Sequence, residues 1–266
     1  MSVVRPSRHR RTRGRAREHP GATWTDVVQA RLMTITLDGA SAGRVAIVTG
    51  GSRGVGRATV HKLAGRGYAV VVDYIHDQRA AESTVEQVLA DNGVAVAIRA
   101  DVADELDVQR LFVETTHMFG GIDVVVHAVR GRIATAAVAE VDLDEFDTWW
   151  RTGVRAALIV NREAARQLRN GGAIVNLSSS AVGTRLPIFG SSDVTMAGTE
   201  LLTRALAVEV SERDITVNAV LLVSDRPCRP HRIADVVAYL LSDEGRALTG
   251  RVIRIDDKYR ISSSRT

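Results

Sequence analysis

The chain has 266 residues, of which 45% are hydrophobic and 25% are charged, and its formal net charge is +4. This length and composition are typical of a globular protein that can bury one full α/β core. Because Cys228 is the single cysteine, a disulfide framework and a cysteine-based metal cluster are excluded, and we expect no metal site and a reducing, cytoplasmic compartment. No apolar run approaches the length of a membrane span, so none is expected.

The positive charge is concentrated near the N-terminus. Residues 1–33 contain eight arginines but only Glu18 and Asp26 as acidic residues, whereas the remaining residues carry 27 basic and 29 acidic side chains. Such a segment can bind nucleic acid or an anionic surface, or act as an arginine-rich targeting segment. We favour a disordered tail over residues 1–40, because runs of charge are usually solvated, and Met33 is an alternative translation start.

From Arg44 onward, strand-like and helical patterns alternate. Many of the strand-like runs are almost entirely apolar, as expected of strands buried on both faces. The predicted strands are Val45–Thr49, Ala69–Asp73, Val94–Ala100, Ile122–His127, Ala173–Ser178, Ile215–Leu222 and Val252–Asp256. The predicted helices are 54–66, 78–92, 104–119, 144–168, 190–213 and 232–242. This alternation predicts the α/β class: one Rossmann-type, doubly wound parallel sheet of about seven strands with helices on both faces, over residues 41–258, before a C-terminal tail at 259–266.

A glycine-rich turn follows the first predicted strand. Glycines occupy positions 50, 51, 54 and 56, between Val45–Thr49 and a predicted helix. In this context, backbone N–H groups can approach a pyrophosphate, and the helix N-terminus favours its negative charge. The alternative is a plain turn that needs glycine for its backbone conformation alone.

Five motifs together identify a family resemblance. They are TGGSRGVG at 49–56, ADV at 100–102, GAIVNLSS at 172–179, ITVNAV at 215–220 and LTGRV at 248–252. With them, the chain resembles the short-chain dehydrogenase/reductase family, and it is similar to the 3-oxoacyl-carrier-protein reductase branch. The resemblance covers about residues 44 to 255 and implies a nicotinamide dinucleotide as ligand.

The resemblance also implies which residues hold the dinucleotide. Arg53 resembles the arginine that meets the 2′-phosphate of NADP, although a solvated turn arginine is the alternative. Asp73 ends the second strand, where a carboxylate normally favours NAD, but in this branch the selective position is 74, which holds tyrosine. NADP is therefore favoured over NAD. The implied cofactor residues are Gly50, Ser52, Arg53, Gly54, Val55, Gly56, Asp73, Asp101 and Val102. Among them, Asp101 matches the acidic residue that contacts the adenine in the family.

The catalytic positions depart from the family pattern. The family uses serine, tyrosine, lysine and asparagine, and only the serine is retained, as Ser179. The tyrosine position holds Ser192, the lysine position Met196 and the asparagine position Gly153. Because an alkoxide is far less accessible than a phenolate, serine cannot replace the tyrosine, and the loss of a positioned general acid predicts impaired catalysis.

Two other segments near the predicted site differ from the family. The turn after the fourth strand reads His127 to Arg130 instead of asparagine and glycine, and the segment after ITVNAV lacks the family's substrate lid. His127, Arg130 and Ser179 stand at predicted strand ends, where they can form an anion site or an acid–base pair of another kind.

Three functions therefore compete. We favour a non-catalytic homologue that binds a dinucleotide or pairs with an active paralogue. The alternatives are an active NAD(P)-dependent oxidoreductase of carbonyl or hydroxyl substrates, and a non-redox enzyme or scaffold with a rewritten strand-end site. Helices 144–168 and 190–213 imply a homo-oligomer or hetero-oligomer, and no nucleic-acid partner is expected apart from the tail. The residues predicted to form a buried face on the helix at 190–213 are Met196, Leu201, Leu202, Leu206 and Val210.

Overall fold

One sheet forms the centre of the structure, a computed structural model that describes residues 43–128, 138–180, 190–223, 229–256 and 261–263. The described residues contribute eight strands, in the order β3-β2-β1-β4-β5-β6-β7-β8. These are β1 (Val45–Thr49), β2 (Ala69–Tyr74), β3 (Val94–Arg99), β4 (Ile122–His127), β5 (Leu168–Ser180), β6 (Thr216–Val223), β7 (Val252–Asp256) and β8 (Ile261–Ser263). The first seven are parallel, and β8 pairs antiparallel with β7.

The order of the strands reverses between β1 and β4. The chain first builds outward from β1 through β2 to β3, and then returns to place β4 on the other side of β1, with Thr49 paired to His127. In open α/β sheets, ligands bind outside the carboxyl ends of the strands at such a reversal. The topology therefore directs attention to the ends of β1, β2 and β4.

Helices cover both faces of the sheet. In the described ranges they are α1 (Gly54–Ala64), α2 (Gln78–Ala90), α3 (Glu105–Phe119), α4 (Leu143–Trp150), α5 (Ala156–Gln167), α6 (Gly190–Glu209) and α7 (Pro230–Leu240). One core contains side chains of α3, α5 and α6, and the other contains side chains of α1, α2 and α7. Alternate residues of β1 enter opposite cores, since successive side chains of a strand point to opposite faces. None of these described helices combines the length and the apolar character that a membrane crossing requires.

The predicted fold class is confirmed, and three details differ from the sequence prediction. β5 begins at Leu168, earlier than predicted, because Leu168 already pairs with Ile122. The predicted helix 144–168 is interrupted between α4 and α5 by a π-helix, Arg151–Arg155. The segment predicted as a tail contains an eighth strand, Ile261–Ser263. It forms because its backbone pairs antiparallel with β7, with Ile261 opposite Ile255.

The predicted apolar face of α6 is only partly buried. Leu206 and Val210 are buried and Leu202 is half-buried, but Leu201 is 65% exposed. Adjacent helical residues point about 100° apart, so Leu201 and Leu202 cannot both face the sheet. The side chain of Met196 lies outside the described residues.

Candidate functional site

A cleft of about 810 Å³ opens at the carboxyl ends of β1, β2 and β3, beside the reversal in strand order. Its walls are the glycine-rich turn, the residues that follow β2, the loop after β3 and one side of α4. The cleft brings together all nine residues that the resemblance assigns to a dinucleotide. These are Gly50, Ser52, Arg53, Gly54, Val55, Gly56, Asp73, Asp101 and Val102.

Glycine is required in the turn at the floor of the cleft. Gly50 and Gly54 have φ angles of 62° and 56°, in the left-handed region that favours glycine. At Gly56, a Cβ atom would lie only 2.2 Å from the Gly50 carbonyl oxygen. The turn can therefore bring its backbone close to a ligand only because these positions lack side chains.

Helix α1 presents uncapped backbone N–H groups to the cleft. Its N-cap residue, Arg53, makes no side-chain capping hydrogen bond, and its first turn contains no acidic residue. In contrast, α2, α3 and α4 each begin with an aspartate whose carboxylate accepts backbone N–H groups of the first turn: Asp77, Asp104 and Asp142. The N-terminus of α1 therefore remains available to an external anion, such as a pyrophosphate.

The rim of the cleft near α2 carries Arg53, whose guanidinium can bind a phosphate. Arg53 is largely exposed, and its guanidinium lies 3.9 Å from the Asp77 carboxylate. His76 lines the same rim, directly before Asp77. Tyr74, at the position where a selective carboxylate would fall, also lines the cleft and carries no charge that would repel a phosphate.

Asp73 lies under the turn and is 2% exposed. Its Oδ2 accepts the N–H of Gly50 at 3.2 Å, while its backbone carbonyl accepts the N–H of Gly51 at 2.9 Å. Burial raises the pKa of Asp73 to about 7, with smaller contributions in the same direction from Asp101 and Asp107, whereas N–H groups of Gly50 and Ala100 oppose the shift. The end of β2 is thus tied to the glycine turn through a carboxyl group that titrates near neutral pH.

Asp101 is already engaged by two partners. Its Oδ1 accepts the N–H of Ala103 at 2.9 Å, and its Oδ2 pairs with the Arg151 guanidinium at 3.0 Å. Arg155, one turn after Arg151, donates to the carbonyl of Ala103. The π-helix is therefore fastened to the loop that forms one wall of the cleft.

Several residues of the cleft wall were missed by sequence reasoning. They are Ile75, His76, Asp77, Ala103, Thr148, Trp149 and Thr152. Tyr74, Ala100 and Ala128 also line the cleft, and each belongs to a position or motif that the sequence analysis discussed. The positions directly after β2 could have been inferred, since they follow a predicted strand end. The α4 residues of the wall could not have been inferred in this way. They are far from the glycine-rich turn in sequence, and they reach the cleft only through the tertiary packing of α4.

His127 does not form the alternative strand-end site that its sequence position suggested. The ring is 2% exposed, and its Nδ1 lies 2.9 Å from the Thr49 hydroxyl oxygen, which also accepts the N–H of Ala128. Burial lowers the pKa of His127 to about 4, so the ring is neutral at physiological pH and cannot attract an anion by charge. Arg130 and the side chain of Ser179 lie outside the described residues.

The four positions of the family's catalytic residues fall on three elements. Ser179 is in β5, where it pairs with Leu222, and Gly153 is half-buried in the π-helix. Ser192 and Met196 are in the first turns of α6, four residues apart and so on one face of the helix. The side chains of Ser179, Ser192 and Met196 lie outside the described residues.

These three elements pack closely behind the catalytic positions. Gly198 in α6 leaves room for Val154 of the π-helix, since a Cβ atom at 198 would lie 2.8 Å from a Val154 methyl group. Asn176 in β5 exchanges hydrogen bonds of 2.8 and 3.0 Å with Asn161 in α5, and it donates to Thr203 in α6 at 3.0 Å. Contacts therefore join β5, α5, α6 and the π-helix near these positions.

The segment that carries a substrate lid in the family is short in this chain, as expected from the sequence. Leu221 to Val223 continue β6, and α7 begins at Pro230. Residues 224–228 lie outside the described residues. Within the described ranges, no three His, Cys, Asp or Glu side chains are grouped so that they could hold a metal ion.

Comparisons with known proteins agree with this architecture. The family model described as Enoyl-(Acyl carrier protein) reductase matches residues 50–224. Versicolorin reductase 1 of Aspergillus parasiticus is 32% identical over 250 residues, covering 80% of this chain and 95% of that protein. A short chain dehydrogenase from Burkholderia cenocepacia, solved in complex with NADP, has a TM-score of 0.74 and 30% identity over 81% of this chain and 97% of its own. The landomycin C-6 ketoreductase LanV, solved with bound NADP and rabelomycin, has a TM-score of 0.73 and 29% identity over 80% and 94%.

Proposed function

Because the chain belongs to the short-chain dehydrogenase/reductase family, whose members are oxidoreductases, we propose that it binds NADP in the described cleft and that its catalysis is impaired. The observation that carries the first part is the uncapped N-terminus of α1 above a turn that only glycine can form. The pyrophosphate would be held by the backbone N–H groups of this turn, and the 2′-phosphate by Arg53 at the rim. The NADP-bound structures of two similar proteins support this choice of cofactor.

The dinucleotide would supply or accept a hydride when bound, and the protein must supply the proton in reduction or accept it in oxidation. Ser192 and Met196 occupy the positions of the family tyrosine and lysine on one face of α6. A serine hydroxyl is a much weaker acid than a phenol, and a thioether carries no charge to assist it. The absence of a positioned general acid lowers a rate by about 10² to 10⁴.

The described lysine does not replace the lost group. Lys62 is in the last turn of α1, where its ammonium lies 2.6 Å from the Asp235 carboxylate of α7. The opposite end of α1 faces the cleft. An active oxidoreductase that uses other residues remains the alternative function.

Calorimetric titration with NADPH, and with NADH beside it, tests the binding. We expect NADPH to bind more tightly than NADH, because only NADPH carries the phosphate that Arg53 can pair with. If neither dinucleotide binds, the proposed function is wrong, and a scaffold role takes its place.

A turnover assay tests the impairment. The protein is mixed with NADPH and a panel of aromatic ketones, and NADPH oxidation is followed by absorbance. We expect binding without measurable turnover. A rate near the typical enzyme value of about 10 s⁻¹ would establish an active oxidoreductase instead.

We further propose that the chain forms a homo-oligomer through α5 and α6. Leu201 and Val208 are seven residues apart on one face of α6 and are 65% and 75% exposed, and Leu158 of α5 is 49% exposed. Leu201 and Val208 thus form an exposed apolar strip on one face of α6, and exposed apolar patches are typical of an interface. Size-exclusion chromatography with light scattering should show a dimer or larger assembly, and the L201E variant should shift it to monomer. A monomer at all concentrations would contradict this proposal, and assembly only after addition of an active relative would indicate a hetero-oligomer.

A further inference from the structure

The Asp73 carboxyl group is the one buried acid directly beneath the proposed pyrophosphate turn in the part of the chain that the structure describes. Its Oδ2 accepts the N–H of Gly50, which is one of the two glycines of the turn in the left-handed conformation. Its Oδ1 is buried, and no donor group of the described residues forms a hydrogen bond with it. The Ala100 N–H also acts on this carboxyl group, but its hydrogen bond goes to the carbonyl of Tyr74 at 2.9 Å. A buried carboxylate with one hydrogen bond is costly when ionised, because one oxygen has lost its water without gaining a partner.

No described cation compensates the charge of Asp73. Strand β1 contributes no ionisable side chain, and Arg53 of the turn points to Asp77 at the exposed rim. On the other side, Arg99 of β3 donates to the carbonyl of Ile75. The acidic neighbours Asp101 and Asp107 add negative charge, although each is paired with its own arginine. Besides Asp73 itself, the ionisable side chains of the turn and of residues 73–77 and 99–107 are Arg53, Tyr74, His76, Asp77, Arg99, Asp101, Asp104, Glu105 and Asp107.

A negative charge at Asp73 works against the turn as an anion site. The N–H groups of the turn and the N-terminus of α1 carry the partial positive charge that would attract a pyrophosphate. An ionised carboxylate directly behind Gly50 offsets that charge, and a protonated carboxyl group does not. Oδ1 is too deeply buried to contact a ligand, so Asp73 acts through its field and through Gly50, as a positioning residue.

We propose that Asp73 couples dinucleotide binding to the uptake of one proton, such that the carboxyl group is neutral when an anionic dinucleotide occupies the turn. This inference rests on the proposed function, since it concerns the same cleft. The proton comes from solvent and bonds to the carboxyl group, and no other bond forms or breaks. By reciprocity, a ligand that favours the protonated form must bind more weakly as protons are removed, by up to tenfold per pH unit.

The experiment measures the affinity for NADH across neutral pH. NADH is the probe because it lacks the 2′-phosphate, which is itself a titrating group. Calorimetry in two buffers of different ionisation enthalpy gives both the dissociation constant and the number of protons taken up. For the wild-type protein, we expect the dissociation constant to rise about tenfold between about pH 6.5 and about pH 8.5, with net proton uptake.

Three variants separate Asp73 from its neighbours. D73N keeps an oxygen for the Gly50 N–H but cannot ionise, so its affinity should be independent of pH, with no proton uptake. H76Q removes the imidazole ring at the cleft rim. D235N removes the α7 carboxylate that pairs with Lys62 at the opposite end of α1. Both variants should keep the wild-type pH dependence.

The outcomes distinguish this inference from the proposed function. If NADH binds but D73N retains the wild-type pH dependence, or if the wild type takes up no proton, the inference alone is overturned. If neither NADH nor NADPH binds at any pH, both are overturned. Should D73N fail to fold, carbon-13 NMR of the wild-type carboxyl groups decides the question, because NADH must shift the Asp73 titration to higher pH.

Discussion

The Arg151 guanidinium lies 3.0 Å from Oδ2 of Asp101, in the wall of the cleft that we propose as the dinucleotide site. Asp101 is the residue that the family resemblance assigns to the adenine, and its other oxygen is already held by the N–H of Ala103. An adenine amino group that uses Asp101 therefore meets a carboxylate whose charge is already partly neutralised by Arg151. Through this ion pair, the π-helix contacts the wall of the cleft, although its central position, 153, holds glycine in place of the family asparagine.

Replacing Arg151 should tighten dinucleotide binding. In R151A, Asp101 loses the cation that partly neutralises it and becomes a stronger acceptor for the adenine amino group, so we expect the NADPH dissociation constant to fall about threefold to tenfold. Stability should change by less than about 1 kcal/mol, because the ion pair is exposed to solvent. Calorimetry and urea unfolding measure the two effects. R162A, which removes an α5 arginine paired with Glu105 outside the cleft, is the control. Weaker binding by R151A would show that Arg151 itself contacts the ligand.

Arg53 should discriminate between the two dinucleotides. We expect R53A to weaken NADPH binding by about tenfold to a hundredfold and to leave NADH binding nearly unchanged, because the lost interaction is a charge-assisted one with the 2′-phosphate. R57A is a matched control, since Arg57 is in the first turns of α1 but donates to Gln87 on the surface. Equal losses for NADPH and NADH in R53A would assign the arginine to the pyrophosphate or to the fold.

Restoring the family residues in α6 and the π-helix should restore catalysis. The combined substitutions S192Y, M196K and G153N restore the family residues on elements that already pack together. We expect NADPH oxidation with an aromatic ketone to rise by at least about a hundredfold over wild type. S192Y alone should gain much less, because the phenol pKa of about 10 is too high without a neighbouring ammonium. If the triple variant binds NADPH but gains no activity with any ketone of the panel, the altered residues are not what limits catalysis.

The free energy of unfolding should depend on pH through two buried groups, His127 and Asp73, whose pKa values are shifted in opposite directions. The folded pKa of His127 is lowered from 6.5 to about 4, so its contribution to stability is lost as the pH falls through that window. The folded pKa of Asp73 is raised from 3.8 to about 7, so its contribution is lost as the pH rises through that window. Between about pH 4 and about pH 6.5 the two effects oppose each other, each amounting to a few kcal/mol at most.

Single variants should reveal each of these effects. Urea unfolding of D73N should give a stability that rises with pH up to about 6.5, because only His127 remains. In H127N, whose amide can still meet the Thr49 hydroxyl, stability should fall as the pH rises toward 7. Identical pH profiles for both variants and the wild type would mean that neither group titrates differently in the folded state.

The sequence predicted the elements that have strong local signals. β1, β4 and β7 have the predicted bounds, because short apolar runs between polar turns fix both ends of a buried strand. The turn from Gly50 to Gly56 was predictable for a similar reason, since few conformations need so many glycines directly before a helix.

The remaining features depend on contacts between distant segments. The pairing of Arg151 with Asp101 joins residues 50 positions apart, and no local pattern encodes it. The polar residue His127 was expected to face a ligand, but the parallel pairing with β1 places it against Thr49 in the interior. The exposure of Leu201 follows from how α6 is rotated on the sheet, which hydrophobic spacing over a few turns does not determine.

The short strand β8 limits how two copies of the sheet can join. An exposed strand at the edge of a sheet is a template for pairing with another chain, and β7 would be such an edge. Ile261–Ser263 occupies the hydrogen-bonding groups of β7 between Ile253 and Ile255. A neighbouring molecule that extended the sheet on this side would begin from three residues, two of them serines, instead of an apolar strand. Removing β8 should therefore expose the protein to edge-to-edge aggregation without touching the nucleotide cleft.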